Sequence, residues 1–192
     1  MCKKKRHDLS TDEQHILEHG HIRLLTSPED IARCDQAIIE HHYLHNVTLV
    51  GEHLRYGFIS KGQWLALATW SSAAFHLKDR DEFIGWSPEQ CRHRRGLLAN
   101  NSRLLVMPDG HCPSLISRFM KLMLGQLSQD WEKRWGHPIA MVETFVDPRF
   151  YQGTVRRLPD QWLVAPRAHR GLEARCRGFL REERRPKADL GS

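Results

Sequence analysis

The chain has 192 residues, of which 40% are hydrophobic, a composition that suits an ordinary globular protein with a buried core. No apolar run approaches the roughly 18 residues of a membrane helix, and the basic start lacks the apolar stretch of a secretory signal. We therefore expect a cytoplasmic protein that makes no membrane contact. The net charge of +6 is compatible with a nucleic-acid partner, but it is concentrated in residues 155–192, where a solvated tail without function is the alternative interpretation.

The predicted elements alternate between strands and helices along the chain. Apolar or alternating runs bounded by turn residues predict five strands, at residues 21–26, 54–60, 63–70, 102–108 and 139–146. Lys61 and Gly62 predict a hairpin turn between the second and the third strand. Capping Ser residues and first-turn prolines predict three helices, at residues 27–42, 87–99 and 114–135. The spacing of the apolar residues in the third helix predicts one apolar face, formed by Leu115, Phe119, Leu122, Met123, Leu127 and Trp131. We expect the order β-α-β-β-(α)-β-α-β-α, which describes a single α/β (α+β) domain with a mixed central sheet.

Two carboxylates stand at the end of the last predicted strand. Glu143 interrupts an otherwise apolar run, so it must find a partner or acquire a raised pKa, a property that suits a general base. Asp147 precedes Pro148 and fits a turn or a helix cap more simply than it fits catalysis. Glu143 and Asp147 are nevertheless the candidate catalytic residues of this chain.

Arg103 is the expected partner of Glu143, because the strands that contain the two residues should be neighbours in the sheet. An Arg–Glu pair of this kind would hold the carboxylate in place for chemistry. It would equally serve as a purely structural ion pair. The sequence leaves both interpretations open.

Two further polar clusters are candidates for binding a substrate or a nucleic acid. Asn101 and Ser102 belong to an amide-rich stretch, which is either a plain turn or a set of groups that read a base edge. Arg80 and Asp81 belong to a predicted loop at residues 77–86 with alternating charge, a pattern that is usually solvated or self-paired. With Trp86, however, Arg80 could offer a nucleotide a cation and a stacking ring.

Several separated blocks, in the right order between residues 43 and 154, resemble the DUF4338 family. They are Gly51 and Tyr56, RD..IGW from Arg80, NSRLLVMP from Asn101, LIS from Leu115, DW from Asp130 and ETFVD....GT from Glu143. That family includes the DruA component of the Druantia anti-phage system and domains attached to transposase-like proteins. The resemblance implies a nucleic-acid-associated protein of a defence or mobile-element system, with DNA or RNA and other defence or transposase subunits as partners.

The element order also resembles the fold of Gcn5-related acetyltransferases. This resemblance implies an acyltransferase-like enzyme whose cofactor, an acyl-coenzyme A, places its pyrophosphate on the loop before the long helix. In this chain the loop, residues 109–114, has a single glycine, and Pro113 removes a backbone donor. We expect no metal cofactor, since the His-rich residues 41–45 have no Cys or carboxylate at ligand spacing.

The family resemblance ends at Thr154. The Tyr-x-Ala and Leu-Gly-x-Thr-x-Gly features that the family places next are missing, and residues 155–192 hold 10 Lys and Arg against five Asp and Glu. We hypothesise that this basic tail is translated out of frame, which sequencing of the encoding DNA would decide. The predicted division is a basic and polar segment at residues 1–20, a DruA-like domain at residues 21–154, and the tail.

Three functions are compatible with these patterns. The first is an acyltransferase-like enzyme with Glu143 as base and with Arg103 and Asn101 holding the substrate. The second is a non-enzymatic nucleic-acid-binding or transposase accessory module, whose phosphate contacts would be Arg80, Arg92, Arg94 and Arg95. The third is an inactive, frameshifted remnant.

Overall fold

The computed structural model describes residues 9–145, apart from the side chain of Asp79, and the backbone of residues 161–164. The chain divides into two compact units, each built from two segments of the sequence. Among the described residues, the first unit contains those up to Ser71 and Ser102–Gln126, and the second contains Ser72–Asn101 and those from Leu127 onward. The sequence-based domain at residues 21–154 stays a prediction, since both units extend through that range.

The first unit holds two helices and an antiparallel set of strands. In chain order the elements are α1 (Thr11–His19), β1 (His21–Leu24), α2 (Pro28–His41), β2 (His53–Ser60) and β3 (Gln63–Ser72). Both β1 and β3 pair antiparallel with β2, and the second half of a later strand, β4 (Leu98–Val106), completes the order β1-β2-β3-β4. The α/β class is thereby confirmed for this unit.

Local signals explain why these elements form where they do. The Ser27 hydroxyl accepts a hydrogen bond from the backbone N–H of Asp30, and Pro28 occupies the first turn of α2, as the sequence predicts. The predicted hairpin turn is also present, with Lys61 at φ 48° and Gly62 at φ 76°. The sequence did not predict α1, although Ser10 and Glu13 form a capping box at its start.

One hydrophobic cluster of the first unit lies between α2 and the sheet. Its largest side chain is Trp64, 6% exposed, whose ring lies beneath the guanidinium of Arg33 with 4.1 Å between the Arg33 Cζ and the ring centroid. The other buried members are apolar residues of α2, the strands and the turn before α2, namely Leu25, Cys34, Ala37, Ile38, Ile59, Leu67 and Leu105.

The second unit contains short helices and a parallel strand pair. Its elements are α3 (Lys78–Ile84), α4 (Pro88–Arg94), a 3₁₀ turn (Arg95–Leu97), the first half of β4, β5 (Met141–Phe145) and β6 (Gln161–Val164). Residues Leu98–Asn101 of β4 pair in parallel with Met141–Thr144 of β5, and β6 pairs antiparallel with β5. This unit therefore has the strand order β4-β5-β6. The helix predicted after the fifth strand lies outside the described residues.

Two local predictions in the second unit are wrong. The predicted loop at residues 77–86 contains α3, which lacks a side-chain cap and ends at Gly85 with φ 73°. This helix forms because Phe83 and Ile84 pack onto a cluster with Leu98 and Met141. The predicted helix at residues 87–99 ends at Arg94, since Leu98 is required as a buried strand residue opposite Met141.

A long helix, α5 (Leu115–Trp135), begins in the first unit and ends in the second. Phe119, Met123, Leu127 and Trp131 follow one face of α5 and are fully buried, which confirms the predicted apolar face. The helix stops before Gly136, whose φ of 83° is the left-handed conformation expected at this position. Within the described ranges, no helix is long and apolar enough to cross a membrane.

Candidate functional site

Glu143 lies in the middle strand of the second unit's sheet. On β5 it stands opposite Asn100 of β4 on one side and Leu163 of β6 on the other. Strands pair with both edges of β5, and the Glu143 side chain is only 2% exposed. A carboxylate at such a position requires a strong partner within the fold.

That partner is Arg80 rather than the expected Arg103. The Arg80 Nη1 lies 3.4 Å from both carboxylate oxygens of Glu143, and both side chains are 2% exposed. The same guanidinium donates from Nη1 to the carbonyl oxygen of Ala74 at 3.0 Å and from Nε to the carboxylate of Asp81 at 2.9 Å. The helix α3 positions Arg80, so the partner of Glu143 depends on a helix that the sequence did not predict.

The environment of Glu143 determines what the carboxyl group can do. Burial raises the pKa of Glu143, while the charge of Arg80 and its hydrogen bond act in the opposite direction. A group with a raised pKa can hold or accept a proton, which is the property required of a general base. Its 2% exposure, however, gives a substrate no direct access to the carboxylate.

Asn101, Ser102 and Arg103 lie on β4, which begins at Leu98 and so starts earlier than the strand predicted from residue 102. Arg103 donates from Nε to the carbonyl oxygen of Asn46 at 2.8 Å and from Nη1 to that of Ser102 at 2.6 Å. The hydroxyl groups of Ser102 and Ser71 lie 2.6 Å apart and share a hydrogen bond. Asn101 is 7% exposed. The interpretation of the amide-rich stretch as a plain turn is therefore wrong, because β4 begins at Leu98 and extends through it.

The predicted pairing of Arg80 with Trp86 as a nucleotide platform is also wrong. Arg80 faces the interior, where Asp81 accepts its Nε–H, and the other carboxylate oxygen of Asp81 accepts from the backbone N–H of Leu77 at 3.3 Å. Trp86 packs partly buried against the apolar cluster of the second unit, and its nearby cation is Arg94. Asp147 lies outside the described residues.

A different basic and aromatic surface lies beside α4. We call it the α4 surface and define it by Phe75, Trp86, Arg92, Arg94 and Arg95. The Arg95 Cζ lies 3.8 Å from the centroid of the Phe75 ring, and the Arg94 Cζ lies 5.9 Å from that of Trp86. Arg92 and Arg94 are exposed, as is Phe75, at 59% of its surface. Against the carboxylates of the described residues, these three arginines form no ion pair.

Sequence reasoning identified part of this surface. The run from Arg92 to Arg95 was a candidate for phosphate contact, and its side chains do lie on the outside of α4 and the turn after it. Arg80, proposed with them, is buried and has no such role. The sequence analysis did not identify Phe75 as part of this surface. Its sequence signal was a single aromatic residue between a predicted strand and a polar, charged segment.

The loop at residues 109–114 does not fit the pyrophosphate of an acyl-coenzyme A. Its backbone N–H at Gly110 already donates to the carbonyl oxygen of Met107, and the N–H of Leu115, at the start of α5, donates to Cys112. A Cβ at Gly110 would collide with the carbonyl oxygen of Leu65, so this glycine serves close packing of the loop against β3. Pro113 offers no donor.

The His-rich turn after α2 has a structural explanation. His42 is 4% exposed, its Nδ1 accepts a hydrogen bond from the N–H of Leu44, and burial lowers its pKa to about 4. The Nδ1 of His45 lies 2.7 Å from the carbonyl oxygen of Ile39. Within the part of the chain that the structure describes, no group of three or more His, Cys, Asp and Glu residues could hold a metal ion.

Comparisons with known proteins give one decisive match. No curated protein matches the chain. Among solved structures it is similar to FeeM, an N-acyl amino acid synthase from uncultured soil microbes, at 11% identity and a TM-score of 0.41, over 68% of this chain and 72% of that one. The family of the Druantia protein DruA matches residues 24–155, more than half of the chain, and the chain therefore belongs to the DruA family.

Proposed function

We propose that this chain is a nucleic-acid-binding component of a Druantia-type anti-phage defence system, acting in the cytoplasm together with other subunits of that system. Membership in the DruA family supports the defence role. The observation that carries nucleic-acid binding is the α4 surface, where three neighbouring guanidinium groups form no ion pair with described residues. If the chain serves a mobile element instead, we propose that its partners are transposase subunits.

Other arginines of the described chain show why this surface is distinct. Arg23 pairs with Asp30 at 2.8 Å, Arg55 pairs with Asp35 at 2.9 Å, and Arg80 pairs with Asp81 and Glu143. Their charge is neutralised within the fold. On the α4 surface the positive charge faces solvent, where a phosphate backbone can neutralise it and release the counterions condensed on the nucleic acid.

Helix geometry concentrates this charge. Arg92, His93 and Arg94 occupy the last turn of α4, and Arg95 begins the turn that follows. Cations are favoured at a helix C-terminus, so their presence there has a small structural benefit of its own. That benefit does not require three arginines, and the number and exposure of the guanidinium groups are better explained by an external anion.

Salt-dependent binding tests the proposal. We expect the purified chain to bind a fluorescein-labelled oligonucleotide in an anisotropy titration, with affinity that falls steeply as salt concentration rises. The double substitution Arg92→Ala with Arg94→Ala should lower the slope of log affinity against log salt by about 0.7 to 0.9 for each lost contact. The matched control is Lys133→Ala, since Lys133 is an exposed cation of the second unit that lies away from α4 in the sequence and near Asp130. Equal slopes for the double variant and the wild type would contradict the proposal.

An acyltransferase-like activity is the second candidate, and a single observation favours it. Burial raises the pKa of Glu143, as a general base requires. Mass spectrometry of the purified chain should then find a co-purified acyl donor or nucleotide, and Glu143→Gln should abolish any transfer reaction. Finding no bound compound, together with unchanged behaviour of Glu143→Gln, would exclude this enzyme.

A further inference from the structure

We infer that the α4 surface binds single-stranded nucleic acid by stacking a base on Phe75, with Arg95 holding the ring in place. This inference rests on the proposed function and adds the class of nucleic acid to it. The site is built from two segments of the second unit, the connection between β3 and α3 that contains Phe75 and the turn after α4 that contains Arg95.

Phe75 is unusual among the exposed apolar side chains. The large hydrophobic side chains that are exposed in the described residues are Leu9, Ile39, Leu44, Val50, Phe75 and Phe145. In this group Phe75 has a guanidinium over its ring, with Arg95 Cζ 3.8 Å from the ring centroid, and it is 59% exposed. The ring is therefore held in a defined position while more than half of its surface remains in water.

The arrangement matches the requirements of a stacking platform. Proteins that bind single strands combine cations that follow the phosphate backbone with aromatic rings on which bases stack. Here Arg92 and Arg94 supply the exposed cations, and Phe75 supplies the exposed ring. Arg95 contributes twice, since its planar guanidinium fixes the ring and adds positive charge beside the stacked base.

A single strand is the form that this site suits. In a duplex both faces of each base are covered by its neighbours, so Phe75 could stack only at an end or on a base that has been turned out. In a single strand the faces can separate and accept an aromatic ring. Trp86 does not provide an equivalent platform, because it packs against the apolar cluster of the second unit and Arg94 lies 5.9 Å from its centroid.

A pair of substitutions at Phe75 separates stacking from simple apolar contact. Phe75→Leu keeps an apolar side chain but removes the π face, and Phe75→Trp keeps the π face. We expect Phe75→Leu to weaken binding of a labelled 15-nucleotide oligo-dT by about tenfold, and Phe75→Trp to retain the wild-type affinity. Both variants should bind a labelled 15-base-pair duplex as the wild type does, because phosphate contacts alone hold the duplex. Phe145→Leu, at another exposed aromatic residue of the same unit, is the matched control.

A spectroscopic readout tests the stacking directly. An oligonucleotide that carries 2-aminopurine should change its fluorescence when it binds the wild type, and this change should disappear with Phe75→Leu. Circular dichroism spectra of all variants should match the wild-type spectrum.

The outcomes distinguish this inference from the proposal on which it rests. If Phe75→Leu leaves binding of the single strand unchanged, or weakens single strand and duplex equally, the stacking inference is wrong while nucleic-acid binding through the arginines stands. If the wild type binds neither oligonucleotide at low salt, the proposed function is wrong as well.

Discussion

The interior arginine Arg80 and the arginines of the α4 surface belong to neighbouring helices of the second unit but occupy opposite environments. Arg80 is 2% exposed, and each of its described charge partners is a carboxylate of the fold. Arg92 and Arg94 are exposed, and no carboxylate of the described residues pairs with them. The comparison teaches that partner and burial decide whether an arginine stabilises the fold or remains available to an external anion.

The largest effect should come from breaking the interior cluster. Arg80→Met removes the cation that faces Glu143 and leaves a buried carboxylate without its charge partner, which typically costs about 3 to 5 kcal/mol. Urea denaturation followed by circular dichroism would measure the change in the free energy of unfolding. The double variant Arg80→Met with Glu143→Leu should recover much of the loss. A loss below 1 kcal/mol for Arg80→Met alone would show that the interior pair is not essential.

An intermediate effect is expected for Arg55, an arginine of the first unit with an environment between the two extremes. Its side chain is 11% exposed and donates from Nε and Nη2 to the two carboxylate oxygens of Asp35, at 2.9 and 3.1 Å. Arg55→Met should lower the free energy of unfolding by about 1.5 to 3 kcal/mol, the range for hydrogen bonds to charged groups. The same denaturation experiment measures it. If Arg55→Met and Arg80→Met cost the same free energy of unfolding, the difference in burial between the two arginines would have no energetic consequence.

A smaller, pH-dependent effect should separate the wild type from Glu143→Gln. The pKa of Glu143 is raised in the folded state above its ordinary value of 4.5, so the folded chain holds that proton more tightly than the unfolded chain does. The stabilisation that comes from this tighter proton binding is fully present below pH 4.5 and is lost as the pH rises through the folded-state pKa of Glu143. Denaturation between pH 4 and pH 7 should therefore show the wild type losing stability relative to Glu143→Gln as pH increases. Parallel curves for the two proteins would contradict the raised pKa.

The smallest effect on stability is expected at the α4 surface. Arg94→Met removes an exposed cation that forms no ion pair with described residues, so the free energy of unfolding should change by no more than about 0.5 kcal/mol. Thermal denaturation of the variant beside the wild type would measure this. A loss comparable to that of Arg80→Met would mean that the α4 arginines are structural, and the contrast between the two regions would disappear.

Local sequence patterns predicted much of the fold but only part of the site. The capped start of α2, the turn at Lys61 and Gly62, and the buried face of α5 follow from interactions between residues a few positions apart, and all three are confirmed. The polar character of Glu143 also marked it as a residue in need of a partner. Short-range rules could identify these features because the necessary information lies within one element.

The sequence by itself determined the α/β class, the main helix caps and the family to which the chain belongs. Only the tertiary structure decided that Arg80 pairs with Glu143, that β4 begins at Leu98, and that Arg95 lies on the ring of Phe75. These features depend on α3 and on the pairing of β4 with β5, which are stabilised by contacts between residues distant in the sequence. Such contacts form through packing and have no local signature, so the tertiary fold separates the structural arginine from those that remain exposed.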